Sequence, residues 1–236
     1  MSETVAVMQP YFLPYLGYFH LLNAVDTFVV HDKVKYTKKG WINRNRLVYA
    51  ENIEYITLPL KKDHDTKYID QRYISEEWQK QKEKHQRKVR QHYSNRDNFS
   101  SAMNLFKKLS DYDDLNLFNF IFSSIKCIAQ ELDLQTKIVR SSDLGDFSCV
   151  VGAEKVKAIC RAAKATKYIN AVGGQKLYDR TDFETAGIEI NFIQSKTIPY
   201  DQKREIFIPD LSILDFLMSV STIEDRKKYL RSYELI

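Results

Sequence analysis

Residues 8–19 read MQPYFLPYLGYF, with two prolines, one glycine and five aromatic residues directly after the first apolar run of the chain. The preceding run, Val5–Met8, has the composition of a buried strand, and Gly17–Ala24 has that of a helix start. The quoted stretch is therefore predicted to be a turn from a strand into a helix. In α/β proteins, such turns lie at the carboxyl edge of the sheet, where ligands bind.

The side chains of this turn suit a ligand site. Its two prolines stiffen the backbone, and Gly17 allows close approach of the backbone to a ligand, or of the helix to a strand. The rings of Tyr11, Tyr15 and Tyr18 can stack on a base or a sugar and donate hydrogen bonds. Gln9 can bind an amide or the edge of a base.

The composition restricts the class of protein. The 236 residues carry a net charge of +5 and have the hydrophobic and charged content of an ordinary soluble globular protein. No apolar run reaches the roughly 18 residues that a membrane span needs. The N-terminus, MSETVAV, lacks the features of a secretory signal. We therefore expect a cytoplasmic protein without a membrane span, and a homo-oligomer is compatible with the sequence.

The cysteines indicate neither a disulfide framework nor a metal site. Cys127, Cys149 and Cys160 form no CxxC pair, and the five histidines show no metal-ligand spacing beside them. Each cysteine lies in an apolar segment. We therefore expect reduced cysteines that pack in the interior.

Strand patterns alternate with helix patterns at both ends of the chain, and a purely helical stretch lies between them. Strands are predicted at residues 5–9, 28–32, 54–58, 136–140, 167–171 and 188–193. Residues 75–131 contain no proline or glycine and predict three helices, the first of them capped by Ser75. Further helices are predicted at 152–163, before Gly187, and from Ser212 and Thr222.

This order predicts an α/β fold with a Rossmann-like, largely parallel sheet flanked by helices. We expect one domain over residues 1–236, with a mainly helical insertion at about 75–132. Ligands bind beyond the carboxyl ends of parallel strands, so the loops at 9–18, 141–146 and 172–178 should converge. These loops add five candidate substrate-binding residues, namely Ser141, Ser142, Gly173, Gly174 and Tyr178.

Two basic segments point to an anionic ligand. Residues 33–46 hold six lysines and arginines and no acid, and a second basic run covers residues 80–96. Within the first segment, Asn43 and Asn45 alternate with Arg44 and Arg46, so an extended backbone would place each pair on one face. Arginine suits bidentate contacts with phosphate. We expect all four residues to bind substrate, although a solvated edge strand would show the same pattern.

A looser resemblance concerns the nucleotidyltransferase-type Rossmann-like fold. Its pattern of strand, proline turn, glycine, bulky residue and A-x-D before a second strand is similar to the start of this chain. Those proteins bind triphosphate with a histidine one place after the glycine, where Tyr18 stands here. His20 lies two residues further on, on an apolar face that favours a core histidine.

Residues 8–19, together with FVVHDKVKYTKKGWINRNRL at 28–47, resemble the signature of the WbqC-like family. Weaker similarities continue along nearly the whole chain, at Trp78 with His85, Ser141–Ser142, Gly173–Gly174 with Tyr178, and LSILD at 211–215. Gln9 stands where many members have histidine, and Tyr15 stands where tryptophan is common. The resemblance implies a sugar-modifying enzyme encoded among surface-polysaccharide (O-antigen-type) biosynthesis genes, plausibly one that transfers an acyl or aminoacyl group to a nucleotide-linked amino sugar.

Three residues are candidates for catalysis in such a transfer: His85, Asp32 and Gln9. A histidine with an ordinary pKa near 6.5 could take the proton of a sugar amine, although His85 also fits a surface helix. Asp32 ends the second predicted strand, where it could orient a hydroxyl, act as a base or cap a turn. Because no GxSxG-type nucleophile pattern occurs, direct attack of the amine on an activated acyl donor is the leading hypothesis.

The donor and two other functions stay open. Acyl-CoA, an acyl carrier, an aminoacyl donor or ATP could each supply the activated group. The second hypothesis is an ATP-using, adenylyl- or nucleotidyl-transferring enzyme, and the third is a nucleic-acid-binding module. Polar residues grouped at strand ends favour a small-molecule site over nucleic acid.

Overall fold

The computed structural model describes residues 3–50, 52–64 and 66–236, so Met1 and Ser2 of the N-terminal segment considered above lie outside it. The strands are β1 (Thr4–Met8), β2 (Thr27–Val30), β3 (Arg44–Tyr49), β4 (Asn52–Thr57), β5 (Lys137–Arg140), β6 (Lys167–Ala171), β7 (Glu189–Ser195) and β8 (Tyr233–Leu235). The helices are α1 (Leu16–Asn23), α2 (Trp78–Tyr93), α3 (Phe99–Ser110), α4 (Leu117–Glu131), α5 (Gly152–Ala162), α6 (Arg180–Thr185), α7 (Ile213–Ser219) and α8 (Ile223–Leu230). Short 3₁₀ turns occupy Ile69–Gln71, Ser141–Asp143 and Val172–Leu177.

The main sheet has the strand order β5-β2-β1-β6-β7-β8, and all neighbouring pairs except β7–β8 are parallel. β1 lies between β2 and β6, with Val5 opposite both Thr27 and Tyr168. Successive parallel strands therefore extend to one side of β1 and then to the other. This is the doubly wound order of Rossmann-like folds, and the predicted fold class is confirmed.

Both faces of the sheet are buried, as a mainly parallel sheet requires. Val5 and Val7 of β1 pack in one core cluster with residues of α5 and α6, whereas Ala6 between them joins the other cluster. That second cluster includes residues of α1 and α4 and continues into α2, α3 and α7. The helical insertion thus shares its core with the sheet.

A two-stranded antiparallel sheet of β3 and β4 stands apart from the main sheet. The sequence predicted a strand at 54–58 but no paired strand before it, because arginine and asparagine alternate where β3 begins. It also missed β8, a short antiparallel strand at the edge beside β7. Both omissions concern antiparallel pairing, which the strand–helix alternation does not reveal.

The three predicted helices of the insertion are present, but the predicted cap is wrong. The hydroxyl of Ser75 is buried and has no hydrogen-bond partner within the described ranges, and α2 begins three residues later, at Trp78. The side chains of Ser212 and Thr222 do cap α7 and α8. Gly187 follows α6 with a φ of 73°, a left-handed conformation that suits glycine after a helix.

The expectation of three packed cysteines is wrong for one of them. All three are free, with Cys160 buried and Cys127 half-buried, but Cys149 is exposed in the loop before α5. The apolar pattern around Cys149 belongs to this loop and not to a buried element. Across the three described ranges, no helix combines the length and the apolar character that a membrane crossing would need.

The turn at residues 9–18, the opening turn, is held by hydrogen bonds that other elements donate to its backbone carbonyls. Leu13 is fully buried with a φ of 45°, which costs energy for a non-glycine residue. Its carbonyl accepts hydrogen bonds from the Asn45 amide at 2.7 Å and the Ser212 hydroxyl at 3.0 Å. Asn45 also donates to the Phe12 carbonyl at 3.2 Å. The β3–β4 sheet, which we call the hairpin, and the start of α7 thus fix the turn from two sides.

A buried carboxylate connects α7 to the insertion. The Asp215 side chain is fully buried and accepts hydrogen bonds from the hydroxyls of Tyr93 and Tyr200, both at 2.9 Å, and from Gln202 at 3.2 Å. The Arg96 guanidinium lies 3.8 Å away. Burial raises the pKa of Asp215, while Arg96 and these hydrogen bonds act in the opposite direction.

We predict that Asp215→Leu lowers the free energy of unfolding by about 3–5 kcal/mol, because it leaves a buried arginine charge and several polar groups without their partner. Urea unfolding at neutral pH measures the change. Asp113→Leu, at an exposed position, is the control and should stay within about 0.5 kcal/mol of the wild type. An equally small effect for Asp215→Leu would show that the carboxylate is not a structural requirement.

Candidate functional site

The three loops predicted to converge do follow parallel strands at one edge of the sheet, since β1, β5 and β6 all end there. Their contacts nevertheless divide them. Ser141 and Ser142 bond to the segment after β2, whereas the opening turn bonds to the hairpin and to α7. The loop after β6 makes its close contacts with Asn170, Tyr168 and Phe183.

Three side chains form a hydrogen-bonded relay beyond β2 and β5. The Ser141 hydroxyl donates to the Asp32 carboxylate at 2.5 Å, and the backbone N–H of Ser142 donates to the same oxygen at 3.2 Å. The Nδ1 atom of His31 lies 2.9 Å from the Ser141 oxygen. Ser141 and Asp32 are buried, with 1% and 3% of their surface exposed. The relay is therefore shielded from solvent at its carboxylate end.

The relay determines which nitrogen of His31 carries the proton. Ser141 has one hydrogen and gives it to Asp32, so its oxygen must accept a hydrogen bond from Nδ1–H of His31. Neutral His31 then has an unprotonated Nε2 that can accept a proton.

The charges of the relay agree with this assignment. Burial by itself would raise the pKa of Asp32, but the hydrogen bonds from Ser141 and Ser142 outweigh it, so this pKa lies below its usual value. Burial, and after it the nearby Lys155 ammonium, lower the pKa of His31 to about 4, with the Asp32 charge acting in the opposite direction. At neutral pH, Asp32 is thus ionised and His31 is neutral.

His31 lines a cavity of about 370 Å³ at this edge of the sheet, the relay cavity. Two aromatic rings, Tyr68 and Phe147, and two cations, Lys33 and Lys155, line it as well. Lys33 forms an ion pair with Asp70, whereas Lys155 makes no ion pair within 4 Å of a carboxylate in the part of the chain that the structure describes. The Asp146 carboxylate also lines the cavity, and its pKa is lowered by hydrogen bonds from Ser148 and then by the charges of Lys33 and Lys155. The cavity therefore offers ring faces, two cations, one carboxylate and a neutral imidazole.

The residues of the opening turn are placed unevenly. Tyr18 is 1% exposed and its hydroxyl donates to the Gln9 carbonyl at 3.1 Å, so it packs in the core beside Tyr11. Gln9 and Tyr11 are half-buried at the end of β1. Gly17 serves packing of the helix, because a Cβ there would lie 2.5 Å from the Tyr15 ring and 3.0 Å from the Ser195 hydroxyl. The catalytic role of Gln9 and the substrate-binding roles of the three tyrosines and Gly17 stay predictions.

The glycines after β6 differ in their surroundings. A Cβ on Gly174 would lie 2.4 Å from the amide nitrogen of Asn170, so this glycine allows the loop to turn closely over β6. Gly173 is exposed, and a Cβ there would meet no atom within 4 Å. Tyr178 packs edge-on against Tyr168. The binding roles of these three residues stay predictions.

The asparagines and arginines that alternate at residues 43–46 lie on opposite faces of the chain, as predicted. Asn43 and Asn45 are buried, and the Asn43 amide bonds to Tyr36 and to the Leu58 carbonyl, so both asparagines hold backbone segments together. Arg44 and Arg46 lie on the outer face, where Arg46 and Tyr15 line a separate cavity of about 270 Å³. The hairpin thus carries its cations away from the relay.

His85, the predicted base, lies on α2, the first helix of the insertion. It packs beside Trp78 on α2, and burial, together with Lys88 and Lys84, lowers its pKa to about 4 against the opposing charge of Glu54. None of these neighbours belongs to the relay, so the structure does not bring His85 together with Asp32. His20 is buried with both ring nitrogens hydrogen-bonded, to Ser195 and to the Tyr229 carbonyl, as expected of a core histidine.

Sequence reasoning missed His31 and Lys155. His31 directly precedes Asp32 in FVVHD, one residue beyond the buried strand, so its place at the carboxyl edge could have been inferred from the strand end. Lys155 gave no comparable signal, because its approach to His31 depends on how α5 packs against the sheet. Together these residues can bind an anionic group and accept a proton next to it.

The His31 geometry predicts a specific pH dependence of stability. The folded-state pKa of about 4 lies below the ordinary value of 6.5, so the unfolded chain binds more protons between these values. Stability should therefore rise as the pH increases from about 4 to 6.5 and be fully present above that range. His31→Asn, which keeps a donor toward Ser141, should reduce this slope in urea unfolding measured across the window.

His64→Asn, at an exposed position, is the control and should leave the slope unchanged. An unchanged slope in His31→Asn would contradict the neutral, shielded histidine.

Comparisons with known proteins agree with the motifs in the sequence. The model of the WbqC-like protein family matches residues 9–227. The chain is also 27% identical over 241 residues to the uncharacterized protein Rv1507c of Mycobacterium tuberculosis, with 97% of this chain and 98% of that protein covered. No solved structure matches significantly. The match extends over both the relay and the hairpin, and the chain belongs to the WbqC-like protein family.

Proposed function

We propose that this protein is a sugar-modifying transferase of surface-polysaccharide biosynthesis that moves an acyl or aminoacyl group to the amino group of a nucleotide-linked amino sugar. The family's name points toward such biosynthesis, and the chemistry of the relay cavity supports the transfer. The observation that carries the proposal is the relay, which leaves Nε2 of His31 free to accept a proton.

His31 is proposed as the general base in place of His85. The amine nitrogen attacks the acyl carbon and loses a proton to Nε2 as the new C–N bond forms. The bond from the acyl carbon to its carrier then breaks, and the carrier leaves with the electron pair. Asp32 and Ser141 are positioning residues, because they orient the imidazole and stabilise its charged form without touching substrate.

The cavity also supports an anionic substrate. The phosphates of a nucleotide-linked sugar would be attracted by Lys155, which lowers the pKa of His31 when no anion is near. Neutralising that ammonium would remove the smaller of the two causes that lower the pKa of His31, since burial remains, and would make the imidazole a better base. Tyr68 and Phe147 offer faces for the apolar side of a sugar ring.

We predict that His31→Asn lowers kcat by about 10²- to 10⁴-fold, the usual contribution of a general base, with little change in KM. Transfer is measured by mass spectrometry on nucleotide-linked amino sugars, each paired with acyl-CoA, an aminoacyl donor or a donor generated with ATP. In the pH profile of kcat/KM, activity should fall on the acid side near pH 4, because this profile reports the free enzyme. In the profile of kcat, the fall should come at a higher pH, because bound phosphate offsets the charge of Lys155. Full activity of His31→Asn would refute the role of the relay.

His85→Asn is the matched control and should retain activity, since His85 lies outside the cavity. Loss of activity in His85→Asn alone would assign the base to the insertion instead.

An ATP-using adenylyl- or nucleotidyl-transferring enzyme is the alternative that the strand order favours. The position of His20 does not add to it, because both ring nitrogens are bonded inside the protein. Release of pyrophosphate from ATP in the absence of any acyl donor would support this alternative over acyl transfer.

A further inference from the structure

The outer face of the hairpin carries a stack of two arginines and two aromatic rings. The Arg44 guanidinium lies 4.7 Å above the Tyr55 ring, and the Arg46 guanidinium lies 5.4 Å from the centre of the Trp41 ring. The two rings are 6.3 Å apart and tilted by 32°. Tyr55 is 48% exposed, so its ring is available to a planar ligand.

Among the described residues, neither guanidinium forms an ion pair with a carboxylate. Arg44 donates to the carbonyls of Gly40 and Lys39, and Arg46 donates to that of Asp210. Neither has a carboxylate partner in the described part of the chain. Arg46 also has a covered Nε–H without an acceptor there. Two positive charges therefore stand on one face with most of their donors unused, an arrangement suited to phosphate.

A cavity of about 270 Å³ lies beside this stack, lined by Tyr15, Trp41, Arg46, Asp210 and the buried Asn45. The charge of Asp210 acts on Tyr15, whose pKa is raised first by burial and then by this carboxylate. A carboxylate would repel a bare polyphosphate, but it can accept hydrogen bonds from the hydroxyls of a ribose. The cavity thus combines an acceptor for hydroxyls with rings and cations.

We infer that the hairpin face is a second binding site, separate from the relay cavity, and that it takes a nucleotide moiety. The base stacks on the exposed Tyr55 ring beside the half-buried Trp41, the phosphates bind Arg44 and Arg46, and the ribose hydroxyls face Asp210. An acyl-CoA donor and a nucleotide-linked sugar both carry this moiety. Binding itself does not depend on the proposed transfer reaction, which decides only what the bound nucleotide delivers.

Isothermal titration calorimetry on the whole chain tests the site with ADP, UDP, CoA and a UDP-linked amino sugar, against adenosine and ribose 5-phosphate. The nucleotides should bind at least tenfold more tightly than either fragment, because only they engage both rings and arginines. Tighter binding of CoA that is lost in the hairpin variants would identify the donor as the occupant and leave the phosphates of the sugar beside Lys155. Tighter binding of the UDP-linked sugar that is lost in the same variants would identify the acceptor and place its phosphates on the two arginines instead of on Lys155. Either result supports the site.

Variants locate the binding. Arg44→Gln/Arg46→Gln and, separately, Tyr55→Ser should each weaken nucleotide binding at least tenfold. Arg87→Gln/Arg90→Gln, which removes the same charge from exposed positions on α2, should leave it unchanged. Circular dichroism confirms that each variant is folded. His31→Asn should also bind nucleotide normally. A wild-type protein that binds nucleotide but shows no transfer would count against the transferase and not against this site.

Four results would overturn the inference. The first is the absence of nucleotide binding to the wild type. The second is an equal loss in the hairpin and α2 double variants, which would indicate general charge attraction. The third is binding that survives the hairpin changes but is lost in Lys33→Gln/Lys155→Gln, which would place the nucleotide in the relay cavity. The fourth is a much tighter, salt-sensitive affinity for a short oligonucleotide, which would indicate nucleic-acid binding.

Discussion

The buried carboxylate of Asp215 is the interaction on which the arrangement of the chain depends most. A charge without solvent is costly unless several donors surround it, and here Tyr93, Tyr200 and Gln202 provide them, with Arg96 nearby. These donors come from α2, from the segment that follows it and from the segment before α7. Because the carboxylate needs all of them, it fixes the insertion relative to the C-terminal helices.

Three further hydrogen bonds connect this carboxylate and its helix to the hairpin and the opening turn. The Tyr93 hydroxyl, which donates to Asp215, also accepts the backbone N–H of Val48 in β3 at 3.1 Å. At the start of α7, the backbone N–H of Ser212 donates to the Arg46 carbonyl at 2.9 Å, and its hydroxyl donates to the strained Leu13. The hairpin and the opening turn are therefore held by the helix that carries Asp215. The position of the arginine–aromatic stack follows from a residue that lies entirely in the core.

The sequence predicted what local pattern controls. The apolar runs that become β1 and β6 are recognisable because a central parallel strand is buried on both faces, and the three helices of the insertion show in a stretch without proline or glycine. β3 could not be found in the same way, because Arg44 and Arg46 face outward and the Asn45 amide donates hydrogen bonds to carbonyls that are distant in sequence. Pairing of that kind is a property of the folded chain.

The candidate site shows the same division. Asp32 and the serine pair could be predicted, because each follows a strand whose carboxyl end lies at one edge of the sheet. Their hydrogen bonding with His31 could not be predicted. It requires β2 and β5 to be neighbours in the sheet, although α2, α3 and α4 lie between these strands in sequence. His85 had the more conspicuous setting in a basic helix, yet that setting describes a local pattern and not a shared cavity.

The two sites differ in what supports them, and this difference bears on function. The relay sits on the ends of two parallel strands, so its geometry comes from the sheet register and its neutral histidine from burial. The hairpin face is carried by a separate two-stranded sheet held through side-chain hydrogen bonds to the opening turn and α7. The turn lies between them, with Gln9 at the sheet edge and Tyr15 in the hairpin cavity. Its prolines and the Leu13 carbonyl, which accepts two hydrogen bonds, make it a stiff spacer, so the separation of the two sites is set by the fold and not by loop motion.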